Sequence, residues 1–382
     1  MSAGLPLAGI KVIEIAQNLA GPYAAEILAT LGAEVLKIER PEGDDCRGWG
    51  PPFIAGAAAT FQTVNRNKQS ITLDLKDRAA VAWLRAKLRE SDILVQNMRP
   101  GALDALGFDA AGLRAENPRL IFCSLHAFGA EGPMKLNPGY EPIVQAFAGM
   151  FSVNGLADAP PARVGMQVLD LGTGVWAALG CLAALLQRAR TGEGCVVDTS
   201  LFETALGWLT IHFAAYGAGG KLPVRDRTGN PRLIVFQAFA TSDGEVVVAA
   251  ANDRLFQKLA REIGRPDWAE DPRFRTNADR IAHRPLLIPE MEKIFAARPT
   301  SEWVERLERL AIPCSPINDL AAVAADPQTT ALGILAPAPG LADLRMVGLP
   351  VSFDGARPPV RSAAPALGAD NAAHGLPPAR PG

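Results

Sequence analysis

The sequence predicts an α/β protein in which a large parallel sheet flanked by helices is joined to a smaller α+β domain. Three observations predict it. Strand and helix patterns alternate through the first 200 residues, a glycine-rich break near residue 220 precedes a hairpin signature, and 382 residues exceed the usual size of one hydrophobic core. Hydrophobic residues make up 48% and charged residues 20%, the balance of a globular chain rather than a disordered one.

Residues 9–15 (Gly-Ile-Lys-Val-Ile-Glu-Ile) read as a strand, 23–31 as a helix closed by Gly32, and 34–38 as a second strand, a βαβ opening. A strand at 70–75, a helix at 77–89 and strands at 92–95 and 119–124 continue the alternation, which points to parallel strands. The apolar run 175–186 reads as a buried helix, too short to span a bilayer and followed at once by Gln187, Arg188 and Arg190. A helix from 201 to about 216 closes this part, so residues 1–216 are assigned to the large domain. Residues 217–232, with Gly217-Ala218-Gly219-Gly220 and Gly229-Asn230-Pro231, read as a linker. The smaller domain, 233–312, opens with a hairpin of 236–240 and 245–250 about Ser242-Asp243-Gly244. Helices follow at 255–263 and 301–310, with Ser301 as the expected cap of the latter. From about residue 357 the chain is rich in Pro and Ala and reads as an extended or mobile tail.

The 38 basic residues nearly balance the 40 acidic ones, so no net field draws the chain to nucleic acid or to anionic lipid, and neither is expected as a partner. Any anionic ligand must be held locally. Cys46, Cys123, Cys181, Cys195 and Cys314 are odd in number and contain no CxxC pair, which argues against disulfides and zinc and favours a reducing, cytoplasmic location. The start, MSAGLPLAGIKVIEIAQ, lacks a basic leader followed by a long apolar run, so no signal peptide is expected. His126, His212, His283 and His374 form no i, i+4 pair and flank no GxSxG elbow, so no metal site is expected.

Three segments bear candidate chemistry. The loop Gln17-Asn18-Leu19-Ala20-Gly21-Pro22 lies between a strand and a helix amino terminus, where free N–H groups favour an anion; it also reads as a plain tight turn with Pro22 opening the helix. Arg40 and Arg47 beyond the second strand, and Arg66 with Lys68, fall where such sheets bind ligands, or are solvated surface. Asp170, within Val168-Leu169-Asp170-Leu171-Gly172-Thr173-Gly174, is either the cap of the following helix or a nucleophile held at its amino terminus.

Taken together, a long ordered series of segments resembles the class III coenzyme A transferases, the family of formyl-CoA transferase and the carnitine and bile-acid CoA transferases. The series runs through LAGIKVIEIAQNLAGPYAAEILATLGAEVLKIERPEGDDCR, NRNKQSITLDLK, DILVQNMRPGALDALGF, NPRLIFCSLHAFGAEGP, GYEPIVQAFAG, VLDLGTGVWAALGCLAALLQRARTGEGCVVDTSLFE, DPRFRTNADR and IPCSPINDL. The resemblance implies a Rossmann-like large domain built from both chain ends, with residues 313–382 returning to it, and an interlocked homodimer. It implies that Asp170 is the catalytic nucleophile, with Tyr140 and Glu141 beside it in the acyl site. CoA or acyl-CoA, the substrate, would lie along Gln17, Leu19 and Ala20, with further contacts at Arg40, Leu73, Lys76, Asn97, Met98 and Ala102. The implied reaction exchanges CoA between an acyl-CoA and a carboxylic acid through an aspartyl anhydride and an aspartyl-CoA thioester. Leu19 stands where formyl-CoA transferase has glutamine, Ala105 and Pro138 replace basic CoA contacts, and the glycine-rich lid has no counterpart, departures that point away from formyl and oxalyl substrates. Leu367 to Asn371 match the family's ending only loosely, and no final helix is expected after them. Two alternatives are an α-methylacyl-CoA racemase, whose basic histidine is here Tyr140, and a CoA-binding homologue without turnover, in which Asp170 only caps a helix.

Overall fold

Alternating buried β-branched and leucine residues build the central sheet of the computed structural model, which describes residues 4–379. The larger unit comprises 4–150, 164–218 and 327–379 of these, and the smaller comprises 151–163 and 219–326. In the larger unit, Lys11–Ile15 (β1), Glu34–Glu39 (β2), Lys68–Thr72 (β3), Ile93–Gln96 (β4), Ile121–His126 (β5) and Val196–Ser200 (β6) form six parallel strands in the order β3-β2-β1-β4-β5-β6. That is the doubly wound Rossmann order, and its direction reverses between β1 and β4, where such sheets open a crevice at the strands' carboxyl ends. The registers Val12↔Val35 and Val12↔Ile93 seat β1 centrally, where its apolar side chains find partners on both faces.

On one face Ile13, Ile15, Leu36, Ile71 and Phe122 pack with Leu84 and Leu88 of Arg78–Arg89 (α2). Asp77 caps α2 by accepting from Ala79 N at 2.9 Å, and Lys87 and Arg89 in its last turn complement the helix dipole. On the other face Ala20–Thr30 (α1) lies along Val168–Thr191 (α4), which also packs on β5 and β6; Glu141–Phe147 is α3. α4 has 24 residues, twice the apolar run seen in the sequence, because Asp170, Gly172 and Gly174 interrupt the hydrophobic pattern without interrupting the helix. By length and composition α4 is long enough to cross a bilayer, so the length argument made from the run 175–186 does not hold. The next helix divides at Leu209 into Leu201–Trp208 (α5) and Thr210–Gly217 (α6).

The carboxyl-terminal stretch is extended but pinned rather than loose. Asp370 and Asn371 side chains accept from Ser70 N at 2.8 Å and Thr72 N at 2.9 Å, and Asp370 N donates to Ser70 O at 3.0 Å, so the tail covers the outer edge of β3. A short 3-10 turn, Ala372–His374, follows.

The smaller unit holds its own three-stranded antiparallel sheet, Phe236–Ala240 (β7), Glu245–Ala249 (β8) and Cys314–Pro316 (β9), with β8 central. Phe239 stacks on Phe295 at 4.6 Å, and Phe256, Leu259, Trp303 and Leu307 complete an aromatic-rich core. The hairpin turn supplies a cap that the sequence assigns elsewhere. The helix Thr300–Arg309 begins one residue before Ser301, and its first N–H, from Thr300, donates to Asp243 Oδ1 at 2.8 Å; Ser301 makes no cap.

Candidate active site

A cavity of about 510 Å³ opens in the larger unit along the carboxyl ends of the strands. At one end it is lined by Gln17 to Ala20 after β1, Arg40 after β2, and Asn97, Met98 and Ala102 after β4. At the other it is lined by Leu125 and His126 of β5, the segment around Tyr140, and Asp170. Nine of the residues implicated from sequence therefore meet at one site: Gln17, Leu19, Ala20, Arg40, Asn97, Met98, Ala102, Tyr140 and Asp170. Glu141 is buried just behind it, at 4% exposure. Leu73, buried, and Lys76, exposed, follow β3 at the outer side of the sheet and do not line the cavity.

The β1 loop is held by side chains that leave it little freedom. Asn97 Oδ1 accepts from Gln17 N at 2.9 Å and its Nδ2 donates to Gln17 O at 2.8 Å, so the Asn97 amide is consumed in fixing the loop. Asp44 Oδ1 accepts from Asn18 N at 3.0 Å, which steadies Asn18 in a left-handed conformation (φ 67°). Beneath them the fully buried Lys37 ammonium donates to Ala16 O and Glu14 Oε1, both at 2.8 Å, and lies 3.0 Å from Asp44 Oδ2. Burial alone would depress this lysine's pKa, but Glu14, Asp44 and Glu39 outweigh it and hold the ammonium above its ordinary range. Lys68, 2.7 Å from the other oxygen of Glu14, is pulled down to about 8, chiefly by burial, with the nearby Lys37 charge adding to the effect.

This network settles three of the four basic residues that sequence offered to a phosphate. Lys68 is locked to Glu14, Arg66 to Glu26 and Val347 O, and Arg47 to both oxygens of Glu39 at 2.7 and 2.8 Å with its guanidinium over Phe61. Each neutralises a buried carboxylate, a demand that one-dimensional spacing does not reveal. Arg40 alone stays at the cavity, half exposed, bonded to Asp45 and to Gly43 O at 2.9 Å.

Asp170 sits in the first turn of α4, not at its cap position, which belongs to Gln167 and bears no side-chain cap. The capping is done from 28 residues away: Glu141 Oε1, at the start of α3, accepts from Leu169 N at 2.9 Å and from Gln145 Nε2 at 3.0 Å. Burial, then the charge of Glu141 and a hydrogen bond with it, push the Asp170 carboxyl up to about 7. The glycines beside Asp170 serve close packing. A Cβ on Gly174 would lie 2.9 Å from Ala20 O and 3.2 Å from Ala24 N, and one on Gly172 would lie 3.0 Å from Thr204 and Trp208. α4 is thereby seated against α1 and α5 at once, with Thr173 Oγ1 bonded to Thr204 Oγ1 at 2.8 Å between them.

Sequence reasoning considered His126 only as a metal ligand and assigned no role to Arg99, Lys135 or Asn137, all of which line the cavity with it. Their signal was positional: His126 ends a central parallel strand, Arg99 follows Met98, and Lys135 and Asn137 immediately precede Tyr140. His126 Nε2 lies 3.1 Å from Asp198 Oδ1 of β6.

Comparison with known proteins agrees with this architecture. The structure is similar to that of a CaiB/BaiF family protein from Brucella suis, at 37% identity and a TM-score of 0.86 over 96% of this chain and 98% of that one. It is also similar to a protein from Mycobacterium tuberculosis, at 29% identity and a TM-score of 0.88 over 97% and 99%. In sequence it is 38% identical over 371 residues to an acetyl-CoA:oxalate CoA-transferase of Acetobacter aceti, covering 96% of this chain and 94% of that one. It is 37% identical over 341 residues to a succinate–glutarate CoA-transferase of Agrobacterium fabrum, covering 86% and 84%. Residues 7–371 match the model of CoA-transferase family III, and with the sheet order and these relatives that places the chain in the family as a CoA-transferase.

Proposed function

We propose that the protein transfers CoA from an acyl-CoA to a free carboxylic acid through covalent intermediates on Asp170. The observation that carries this reading is a half-buried carboxylate with a raised pKa facing the same cavity as the clamped β1 loop and Arg40. An Asp170 oxygen attacks the thioester carbonyl, forming a C–O bond and releasing CoA thiolate with the C–S electron pair. The thiolate attacks the aspartyl carbonyl of the mixed anhydride, giving an aspartyl-CoA thioester and freeing the donor acid as carboxylate. The acceptor carboxylate then attacks this thioester, and the released thiolate takes the new acyl group, restoring Asp170. The raised pKa increases the nucleophilicity of the ionised carboxylate. Glu141 fixes the helix turn that bears Asp170, and Tyr140 offers a hydroxyl to the acyl group.

In this reading CoA runs along the sheet edge from β1 to β3, past Gln17, Leu19, Ala20, Asn97, Met98, Ala102 and Arg40, with Leu73 and Lys76 serving its far end. The reaction is assigned to the cytoplasm, in keeping with five free cysteines. The working form is an interlocked homodimer. Trp176 and Leu179 of α4, Trp208 of α5 and Ile211, Phe213 and Tyr216 of α6 are between 40% and 66% exposed, an apolar face that suits a second copy.

Hydroxylamine trapping tests the mechanism. Incubation with a productive acyl-CoA and hydroxylamine should convert Asp170 to a hydroxamate and inactivate the enzyme, and Asp170→Ala should abolish transfer. Transfer that persists in the variant, or an unmodified Asp170 peptide after turnover, would remove Asp170 from the chemistry.

A further inference from the structure

Resting on that reading, we infer that the carboxyl-terminal segment from Pro365 to Asp370 positions the two loops that receive CoA, acting through Ser70, Glu39, Arg47 and Asp44 without touching the ligand. Covering the outer edge of β3 needs only the bonds that Asp370 and Asn371 make to Ser70 and Thr72. The residues before them reach further. Gly368 N donates to Ser70 Oγ at 3.1 Å, and that hydroxyl donates its own hydrogen to Glu39 Oε1 at 2.6 Å. Pro365 O accepts from Arg47 Nη2 at 3.1 Å, and Arg47 holds both oxygens of the same Glu39. Leu367 packs against the turn at Gly43, where an added Cβ would lie 3.4 Å from its methyls. Among the described residues of this segment, none lines the cavity.

These contacts converge on Glu39 and continue from it to both loops. Glu39 Oε2 accepts from Asp44 N at 3.0 Å, and Asp44 Oδ1 in turn accepts from Asn18 N and Cys46 N, each at 3.0 Å. One branch therefore ends on the backbone of the β1 loop, between Gln17 and Leu19. The other ends on Arg40, whose Nε donates to Gly43 O and whose guanidinium meets Asp45 in the turn that Asp44 caps. Ser70, Glu39 and Asp44 are at most 3% exposed, so water does not replace a missing link, and hydrogen bonds in such a series reinforce one another. Burial would raise the Glu39 pKa, but Arg47, Lys37 and Ser70 outweigh it and hold the carboxyl below its ordinary range. None of these bonds involves Asp170 or Glu141, which stand at the other end of the cavity. Losing the tail contacts should thus loosen CoA and leave the acyl chemistry intact.

Ser70→Ala tests the inference, because it removes the hydroxyl and leaves the backbone bonds to Asp370 in place. Calorimetric titration with CoA should show a dissociation constant about 5- to 30-fold above that of the native enzyme. The KM for succinyl-CoA should rise alike, while kcat and the KM for glutarate stay within about twofold. Asp370→Ala should weaken CoA in the same way, and Asp370→Asn, which keeps an acceptor for Ser70 N, should restore native binding. Asn67→Gly is the control for mere loosening: it frees the tail upstream, at Arg361 N and Ser362 N, and should lower Tm without weakening CoA. Native CoA affinity in Ser70→Ala, or an equal loss in Asn67→Gly, overturns the relay. Binding needs no turnover and is judged apart from the mechanism. Hydroxylamine that leaves Asp170 unmodified in an enzyme that binds CoA overturns the nucleophile alone, and a native enzyme that binds no CoA overturns both.

Discussion

At the scale of single residues, the site depends on how two carboxyls share one environment. Asp170 titrates near 7 because burial and then Glu141 oppose its ionisation, and only the ionised form attacks a thioester. Activity should therefore rise with pH through an apparent pKa near 7 on the acid side. Glu141→Gln keeps an oxygen for Leu169 N but removes the charge, so the acid limb should move to lower pH, by about one unit. A pH profile of kcat/KM reads this directly, and an unmoved limb would mean that another group controls it. In stability the sign is opposite to that of most carboxylates. The folded state binds this proton more tightly than the unfolded chain, whose value is 3.8, so the contribution is complete below that value and is lost as pH rises through about 7. The sequence suggested Asp170 and Glu141 as neighbours only through family resemblance; their bond joins residues 29 positions apart, and nothing in local spacing announces it.

At the scale of elements, the sequence exposed strands and helices by their periodicity but not the reasons they approach one another. The Gly-Thr-Gly run after Asp170 reads as a glycine-rich entry to a buried helix, whereas it lies inside α4 and lets that helix touch α1 on one side and α5 on the other. Likewise Asn97, a CoA contact by family resemblance and part of the cavity lining, also clamps the backbone of Gln17, a role that local spacing does not announce. Arg66 and Lys68 satisfy Glu26 and Glu14, buried carboxylates distant in sequence and adjacent only in the fold, while Arg47 satisfies Glu39 at the end of the strand just before it. Gly174→Ala should force α4 away from Ala20 and Ala24, at a cost of about 1–3 kcal/mol. It should also lower kcat more than Gly207→Ala in α5, whose added methyl would meet nothing within 4 Å. Thermal unfolding and initial rates on both variants decide the matter, and equal losses would show that the α1–α4 approach does not govern the nucleophile.

At the scale of the whole molecule, the α/β alternation and the break near residue 220 were legible because each rests on local composition. Membership of 151–163 in the smaller unit was not, since Gly149, Arg163 and Gly165 at its borders look like the glycines and arginines found throughout the chain. The apolar face of α4 to α6 was also hidden, because an exposed tryptophan and a core tryptophan look alike in a sequence. If that face meets a second copy, sedimentation velocity should find a species of roughly twice 40.4 kDa at micromolar concentration, and Ile211→Asp should shift it toward the single chain. A native species that stays at 40.4 kDa would exclude the dimer.

The tail that covers β3 has a temporal consequence. Ser70 and Asp370, bonded side chain to backbone, are separated by 300 positions, so on a ribosome the outer strand is made long before the segment that shields it. Until residue 371 emerges, that strand presents an open row of backbone donors and acceptors to any neighbouring chain. Synthesis thus includes a window in which the nascent sheet depends on chaperones or on speed to avoid pairing with the wrong partner.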